Sequence, residues 1–288
     1  MTSTLSPLRY PGGKASFTDF FGKVLALNGL TGGLYAEPFA GGAGAALGLL
    51  LGGHVDRIAI NDADPRIHAF WKSILENNDR FVRLIETTPV TIEEWEKQRM
   101  IYLNPKGKSL LRLGFASFFL NRCNRSGIMF NAGPIGGKRQ EGKWKLDARY
   151  DATRLIERIT RIAEYSDRIL VSCFDARRFL DSIPEIAGQD PVFVYLDPPY
   201  YVKGSLLYMN HFNHNDHAEL AAYIKKSDNF SWLMTYDDVP EIRKLYSWAE
   251  CKDFELLYSA YENRRGGEVL ISPPSLLLPK LGGSLKII

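Results

Sequence analysis

An Asp-Pro-Pro-Tyr tetrad follows the apolar run Phe193–Leu196. The β-branched and aromatic residues of this run predict a short buried strand that ends at Asp197. Pro198 and Pro199 fix the backbone and keep it extended, and Tyr200 adds a ring. A carboxylate, the Pro198 carbonyl and a ring can together grip a flat heterocycle with an exocyclic amine. A strand that ends in a proline turn with a capping Asp explains the same residues without any ligand.

Two earlier predicted strands also end in acidic residues. The segment 34–51 predicts a strand ending at Glu37, then a Gly-rich turn and a helix, as in the first unit of a nucleotide-binding sheet. The turn lacks the dinucleotide glycine spacing, which favours a nucleoside ligand without phosphates. The second strand, 58–61, leads into Asp62, at the place where such sheets bind ribose hydroxyls. Helix N-capping by Asp62 or Asp64 is the other interpretation.

Composition indicates an ordinary globular protein. The chain has 288 residues, of which 45% are hydrophobic and 24% charged. No apolar run reaches the roughly 18 residues of a membrane span, and the first residues do not resemble a signal peptide. Cys123, Cys173 and Cys251 lie far apart. We therefore expect a cytoplasmic protein with neither a disulfide framework nor a cysteine zinc site.

Positive charge is concentrated in the middle of the chain. Lys97–Arg168 contains 16 Lys and Arg residues and 6 Asp and Glu residues, whereas the whole chain has a net charge of +3. The remainder is therefore net negative. This asymmetry predicts a basic face suited to a polyanion, and nucleic acid is the expected partner.

About 100 residues separate the second and third predicted strands, which is too long for a simple crossover. We expect an inserted subdomain at 67–165, within a catalytic domain formed by 1–66 and 166–288. The pattern predicts helices at 67–86 and 91–103, followed by irregular sequence with Phe130 and Trp144 as wedges or stacking rings. The candidate base- and phosphate-reading side chains of the insert are Asn121, Arg122, Asn124, Arg125, Asn131, Lys138 and Arg139.

The C-terminal third predicts further strands at 169–175 and 232–236, and a closing antiparallel pair at 253–261 and 268–272. The loop of that pair carries Arg264 and Arg265, which are also candidate DNA contacts. Asn213 with Asp216 predicts a capping box at a helix start. The histidines at 211, 214 and 217 do not have the spacing of a helical metal-binding pair, so we expect no metal site.

Six motifs follow one another in an order that is more specific than any single motif. They are Leu8-Arg-Tyr-Pro-Gly-Gly-Lys14, Ala36-Glu-Pro-Phe-Ala-Gly-Gly42, Asn61-Asp62, Phe118-Phe-Leu-Asn-Arg122, Asp197-Pro-Pro-Tyr200 and Glu268-Val-Leu-Ile-Ser272. This set resembles the Dam-like, class alpha family of DNA N6-adenine methyltransferases. The resemblance implies a Rossmann-like α/β sheet with helices on both faces and an inserted, mostly helical target-recognition subdomain. It also implies methyl transfer from S-adenosyl-L-methionine, without a metal, to N6 of a flipped adenine in double-stranded DNA.

The same resemblance assigns roles to residues. Tyr10 and Lys14 would line the cofactor pocket, and Asp62 would bind the ribose. Near the methionine portion it places Glu37, Phe39, Ala40, Gly41 and Gly42. It places Asp175 near the cofactor adenine, with Phe174 beside it. The catalytic tetrad is Asp197, Pro198, Pro199 and Tyr200, and Asp197 also faces the cofactor.

The chain departs from the family pattern in two places. Ala176 follows Asp175 where relatives have an aromatic residue, which leaves the adenine-stacking ring open. The insert reads Arg125-Ser-Gly-Ile-Met-Phe-Asn131 and is similar to phage- or defence-associated members. The target GATC is therefore not inferred, and a separate restriction or defence partner stays open.

Two other functions remain as alternatives. An N4-cytosine or RNA-adenine methyltransferase would use related chemistry, but N4-cytosine enzymes usually have Ser where Asp197 stands. A catalytically silent methyltransferase fold that binds DNA or cofactor in a defence complex is the second alternative. The intact acids argue against such a decayed module.

Overall fold

The computed structural model describes residues 5–10, 14–202, 212–256, 267–279 and 285–287. The strands are β1 Leu34–Glu37, β2 Arg57–Asn61, β3 Ile169–Ser172, β4 Val192–Leu196, β5 Ser231–Asp237, β6 Glu250–Leu256, β7 Glu268–Ser272 and β8 Leu285–Ile287. The helices are α1 Thr18–Leu27, α2 Gly44–Leu51, α3 Pro65–Glu76, α4 Asn78–Thr87, α5 Ile92–Leu103, α6 Leu110–Cys123, α7 Ala152–Ala163, α8 Ala176–Ala187, α9 His214–Lys226 and α10 Pro240–Leu245.

The described strands form one eight-stranded sheet in the order β3-β2-β1-β4-β5-β7-β6-β8. The first five of these strands run parallel, while β7 is antiparallel to both β5 and β6. Chain order reverses between β1 and β4. In open α/β sheets, ligands bind at such a reversal, beyond the carboxyl ends of the strands. The acids predicted at the ends of β1 and β4 therefore flank the expected binding crevice.

Side-chain alternation explains why both faces of the sheet are covered. Tyr35 points into a core with α1 and α2, whereas Leu34 and Ala36 point into a second core with α8, α9 and α10. The same alternation in β4 sends Phe193 to the first core and Val194 to the second. The predicted α/β fold with helices on both faces is confirmed.

Helices α3 to α7 lie between β2 and β3, as the long separation in sequence indicates. Their interior is built from aromatic rings. The Phe118 ring lies 6.0 Å from Phe70 and 5.5 Å from Phe81 between centroids, and Phe81 lies 5.7 Å from Phe115. Such edge-to-face and stacked contacts fix the relative positions of α3, α4 and α6.

Two local predictions in the insert are wrong. Residues 118–123 are not irregular, because they complete α6, whose first turn is capped by Ser109. The Asn and Arg side chains of 121–124 had indicated a loop, but they are held by contacts with distant backbone. The predicted helix at 67–86 is two helices, which meet at Asn77.

The predicted antiparallel pairing is confirmed by β6 and β7, but β6 begins at Glu250 rather than 253, and β8 pairs beyond it. Residues 257–261 of the predicted strand lie outside the described residues. Arg264 and Arg265, in the loop predicted between β6 and β7, lie outside the described residues as well. In the ranges given above, no helix is both long enough and apolar enough to cross a membrane.

Candidate active site

A cavity of about 900 Å³ opens at the carboxyl edge of the sheet, over β1, β2 and β4. It is lined by the predicted cofactor residues Tyr10, Lys14, Glu37, Phe39, Ala40, Gly41, Gly42, Asp62 and Asp197, and by Pro199. Segments far apart in sequence therefore meet at the chain reversal. The structure places these residues together around one space.

The Gly-rich turn after β1 is held against Tyr10. Gly41 has φ +46°, and a Cβ atom added there would lie 2.5 Å from the Tyr10 ring, so a side chain would be excluded. The Gly41 N–H donates to Asp62 Oδ2 at 3.0 Å, and the Trp71 indole N–H donates to the Gly41 carbonyl at 3.0 Å. The turn therefore exposes bare backbone to the cavity.

Asp62 connects this turn to the next helix. Its Oδ1 accepts the Asp64 N–H at 2.9 Å, while Asp64 itself caps α3 through the Arg66 N–H. The capping interpretation is thus confirmed for Asp64. Burial raises the pKa of Asp62 to about 7, against the hydrogen bond from the Asp64 N–H.

Glu37 is a buried carboxyl at the end of β1, with 5% of its surface exposed. Its Oε1 accepts the Tyr35 hydroxyl at 2.9 Å and the Ala46 N–H at 3.2 Å. Burial raises the pKa of Glu37 to about 8, opposed by the Tyr35 hydrogen bond and reinforced by the charge of Asp197. A cationic ligand in the cavity would favour ionisation of this acid.

Asp197 accepts the last hydrogen bond of a chain formed by buried hydroxyl groups of β4 and β5. The Thr235 hydroxyl donates to Asp197 Oδ1 at 2.8 Å. Since Thr235 donates there, the Tyr195 hydroxyl at 2.6 Å donates to Thr235. Burial raises the pKa of Asp197, while the nearby Lys14 ammonium and the Thr235 hydroxyl lower it. This carboxylate is oriented by groups on two neighbouring strands.

Lys14 joins the tetrad to β7, in the antiparallel part of the sheet. Its Nζ lies 3.5 Å from Asp197 Oδ1 and donates to the Tyr200 hydroxyl at 2.8 Å and to Glu268 Oε2 at 3.3 Å. Only 5% of the Lys14 surface is exposed. A cation buried among two carboxylates offsets part of the cost of bringing those carboxylates together.

Asp237, at the end of β5, holds the backbone that follows the tetrad. Its Oδ1 accepts the Tyr201 N–H at 2.8 Å, and its Oδ2 accepts the Val202 N–H at 2.9 Å. Asp237 is buried, with 7% of its surface exposed. Two charge-assisted hydrogen bonds therefore set the exit direction of the chain after Tyr200.

The histidines near this turn bond to tyrosines. His217 is fully buried in α9, with its Nδ1 2.9 Å from the Tyr236 hydroxyl, and His214 Nδ1 lies 3.0 Å from the Tyr201 hydroxyl. The predicted capping box of Asn213 and Asp216 is confirmed at the start of α9. His211 lies outside the described residues.

Phe174 and Asp175 do not line the cavity. Asp175 is exposed and caps α8 by accepting the N–H groups of Arg177 and Arg178. The Phe174 backbone is held by Asn61, whose amide also donates to the Pro38 carbonyl at 2.9 Å. Asn61 therefore ties the turns after β1 and β3 to the end of β2.

The expectation that Asn121 and Asn124 contact DNA is corrected, because both side chains are buried and neither lines the cavity. The Asn121 amide binds both the N–H and the carbonyl of Arg9, at 2.7 and 2.8 Å. The Asn124 amide donates to the Ile128 carbonyl and accepts the Trp95 indole N–H. These groups fix the protein backbone, whereas Arg122 borders the cavity.

The remaining predicted DNA contacts of the insert are exposed. Arg125, Asn131 and Lys138 line a second hollow of about 460 Å³, which also includes the exposed Phe130 ring. Lys138 pairs with Glu96 at 2.9 Å, and Arg139 is exposed nearby. The basic, aromatic character expected of a nucleic-acid surface is thus retained at these positions.

The sequence did not single out Arg149 and Arg158, which line the cavity, or Thr235 and Asp237, which hold Asp197 and the backbone after the tetrad. Asp237 had the same signal as Asp62 and Asp197, an acid directly after a predicted strand. The arginines lay within the basic segment, but nothing in their spacing distinguished them from surface charges.

The cavity fits a nucleoside that carries a cationic tail. Its volume is within the usual range of ligand pockets, about 300–1,000 Å³. The Gly41 backbone permits close approach, the Asp62 oxygens keep unused lone pairs for hydroxyl donors, and Glu37 and Asp197 supply negative charge. S-adenosylmethionine matches this set of groups.

The buried acid Glu37 predicts a pH effect on stability. Its carboxyl binds a proton more tightly in the folded chain, with a pKa of about 8, than an ordinary glutamate at 4.5. The folded state therefore loses stability as the pH rises from about 4.5 to 8. Glu37→Gln keeps the acceptor oxygen and should reduce this loss, measured as the free energy of unfolding in urea at several pH values. Glu241→Gln, at an exposed position, should behave as wild type; identical slopes for Glu37→Gln and wild type would contradict the assignment.

Comparison with known proteins agrees with the motif order. Residues 10–260 match the family described as D12 class N6 adenine-specific DNA methyltransferases. No curated protein matches the chain significantly. Two structures of the rRNA methyltransferase aviRa from Streptomyces viridochromogenes are similar at a low level. The first has 16% identity and a TM-score of 0.38, covering 92% of this chain and 84% of that one. The second has 14% identity and a TM-score of 0.36, covering 94% and 90%.

Similarity this low carries no argument about the substrate. The family match spans most of the chain, however, and includes the Gly-rich turn, the insert and the Asp-Pro-Pro-Tyr tetrad. The resemblance drawn from the sequence is confirmed: the chain belongs to the D12 class of N6 adenine-specific DNA methyltransferases.

Proposed function

We propose that this methyltransferase transfers a methyl group from S-adenosyl-L-methionine to N6 of an adenine extruded from double-stranded DNA. The observation that carries the proposal is the position of Asp197, which shares one cavity with Glu37, Asp62 and the Gly-rich turn. The carboxylate that would bind the adenine amine then lies beside the residues that would bind the cofactor. When bound, the cofactor supplies an activated methyl group on its sulfonium.

The tetrad prepares the adenine amine. An adenine N6 lone pair is delocalised into the ring, so the amine is a poor nucleophile. Asp197 accepts one N6–H and the Pro198 carbonyl accepts the other, which favours a tetrahedral nitrogen with a free lone pair. Tyr200 stacks on the base, which stabilises it by about 1–3 kcal/mol, comparable with the few kcal/mol that unstacking costs. Correct orientation then supplies most of the acceleration.

Proton transfer after methylation falls to Asp197. The Thr235 hydroxyl and the Lys14 ammonium both stabilise its ionised form. Asp197 therefore orients the amine first and accepts the released proton afterwards, rather than acting as a strong base at the start. Outside the cavity, DNA contacts exposed side chains of the insert, namely Arg125, Asn131, Lys138 and Arg139. A restriction or phage-defence setting fits a chain of this kind.

Expression in a host that lacks DNA methylation tests the function directly. Long-read sequencing of the host DNA should show N6-methyladenine at one recurring sequence. Asp197→Ala should abolish the signal, because the amine loses its acceptor, while affinity for S-adenosylhomocysteine stays within about twofold. Asp190→Ala, before the opposite end of β4, is the matched control and should methylate normally. Methylated cytosine, or no methylation by the wild type, would refute the proposal.

The ribose role of Asp62 is tested by cofactor binding. Asp62→Ala removes an acceptor for two hydroxyls and should raise the dissociation constant of S-adenosylhomocysteine about tenfold or more, measured by calorimetry. Asp56→Ala, before the opposite end of β2, should leave the constant unchanged. Equal constants for Asp62→Ala and wild type would rule out the role.

Asp237 should affect catalysis without affecting the cofactor. Asp237→Asn replaces one acceptor oxygen by an amide NH₂ donor that faces the N–H of Tyr201 or Val202. One of the two hydrogen bonds that hold the backbone after the tetrad is then lost. We expect kcat to fall about 10- to 100-fold with little change in cofactor affinity. The neighbouring Asp238→Asn, which loses an ion pair with Arg243 instead, should retain kcat. A fall in Asp238→Asn of the same size would mean that the effect is general.

A further inference from the structure

The cavity has two walls of opposite charge. Acids line the sheet edge, whereas the wall formed by the N-terminal segment and the insert carries arginines. We refer to Arg9, Arg122, Arg149 and Arg158 as the arginine wall. Asp147 and Asp151 border the same wall. Asp151 pairs with Arg154 at 3.4 Å, and neither acid forms an ion pair with these four arginines.

The guanidinium of Arg122 is the buried centre of the arginine wall, with 9% of the residue exposed. Its Nε donates to the Arg149 carbonyl at 2.7 Å and its Nη1 to the Pro7 carbonyl at 3.5 Å. Arg9 Nη1 likewise donates to a carbonyl, that of Asn124, at 3.4 Å. Both guanidinium groups therefore donate to backbone carbonyl oxygens, which carry no net charge.

No carboxylate of the described ranges lies within 4 Å of any charged nitrogen in the arginine wall. Burial, followed by the charges of Arg9 and Arg158, lowers the pKa of Arg122 to about 10. Burial and the charge of Arg149 also lower the pKa of Arg9. Partly buried like charges that face a cavity are costly unless an anion joins them. Guanidinium forks suit the paired oxygens of a phosphate.

The cofactor and the DNA strand carry opposite net charges, so each suits a different wall of the cavity. A sulfonium cofactor carries a sulfonium, an ammonium and one carboxylate, so its net charge is positive and suits the acids of the sheet edge. The arginine wall would repel such a ligand as a whole. The DNA strand carries one negative charge per nucleotide, and its phosphates remain attached to any base that enters the cavity.

We propose that the arginine wall binds backbone phosphates of the target strand next to the extruded nucleotide. This inference rests on the proposed function and extends it, since it assigns the substrate strand a path between the insert and the N-terminal segment. DNA and cofactor would then enter one cavity from opposite sides, and the phosphate contacts would hold the base opposite Asp197.

The test compares two arginine-wall variants with a matched control. Arg149→Ala leaves in place the backbone carbonyl that Arg122 uses, and Arg158→Ala shortens a side chain on α7. Arg161→Ala is the control, because Arg161 lies on the same helix but is exposed and does not line the cavity. Thermal unfolding checks that all three variants fold.

The probe is a single strand of about twelve deoxyadenosines, which avoids the cost of unpairing a duplex. Fluorescence anisotropy over a range of salt concentrations gives its affinity, and calorimetry gives the affinity for S-adenosylhomocysteine. Both arginine-wall variants should bind the strand about tenfold more weakly. The slope of log affinity against log salt concentration should be smaller by about 0.7. Affinity for S-adenosylhomocysteine should be unchanged. Arg161→Ala should match wild type in both measurements.

Two results would overturn the proposal. Unchanged strand affinity and salt slope in both arginine-wall variants would show that the wall does not bind phosphates. A loss of S-adenosylhomocysteine affinity with unchanged strand binding would assign the wall to the cofactor carboxylate instead. Neither measurement requires methyl transfer. An inactive wild type with the expected binding losses would therefore support the wall while refuting the proposed function, and an active wild type with unaltered variants would do the reverse.

Discussion

The contact of Lys14 with Asp197 is the interaction on which the rest of the site depends. The ammonium lies between Asp197 and Glu268 and donates to the Tyr200 hydroxyl, so it links the N-terminal segment to the end of β4 and to β7. Without a cation there, burial would favour the protonated form of Asp197, which has only one oxygen free to accept a hydrogen bond. The charge of Lys14 thus lowers the pKa of Asp197 against the effect of burial, and the fold brings the two residues together from 183 positions apart.

The parallel half of the sheet explains why acids gather at one place. Each of β1, β2, β4 and β5 ends in or beside an acidic residue at the same edge. These acids have different tasks because their partners differ. Glu37 is closed in by Tyr35, Asp62 holds the Gly-rich turn, and Asp237 holds backbone after the tetrad. Environment, rather than residue type, separates a ligand-facing carboxylate from a structural one.

Sequence patterns predicted the sheet edge well, because strand alternation and a terminal acid are both local signals. Glu37, Asp62 and Asp197 were found in this way and do line one cavity. The failures concern side chains whose partners are remote. Asn121 appeared to be a base-reading amide, yet it binds the backbone of Arg9, 112 positions away. The arginine wall combines an N-terminal residue with one from α6, one from the loop before α7 and one from α7 itself, and no local pattern predicts that these segments converge.

The insert shares its interior with the sheet. The buried cluster that contains Ile58 and Ile60 of β2 continues without a polar boundary into Phe70 and Phe118 of α3 and α6. A segment packed in this way cannot be exchanged without altering the core of the sheet domain. Under the proposed function, target preference would change through the exposed residues proposed to contact DNA, such as Asn131 and Arg139. Exchange of the whole insert between relatives would instead disrupt a core that the insert shares with the sheet. In evolutionary terms, new targets would then be more accessible to this architecture through point changes than through recombination.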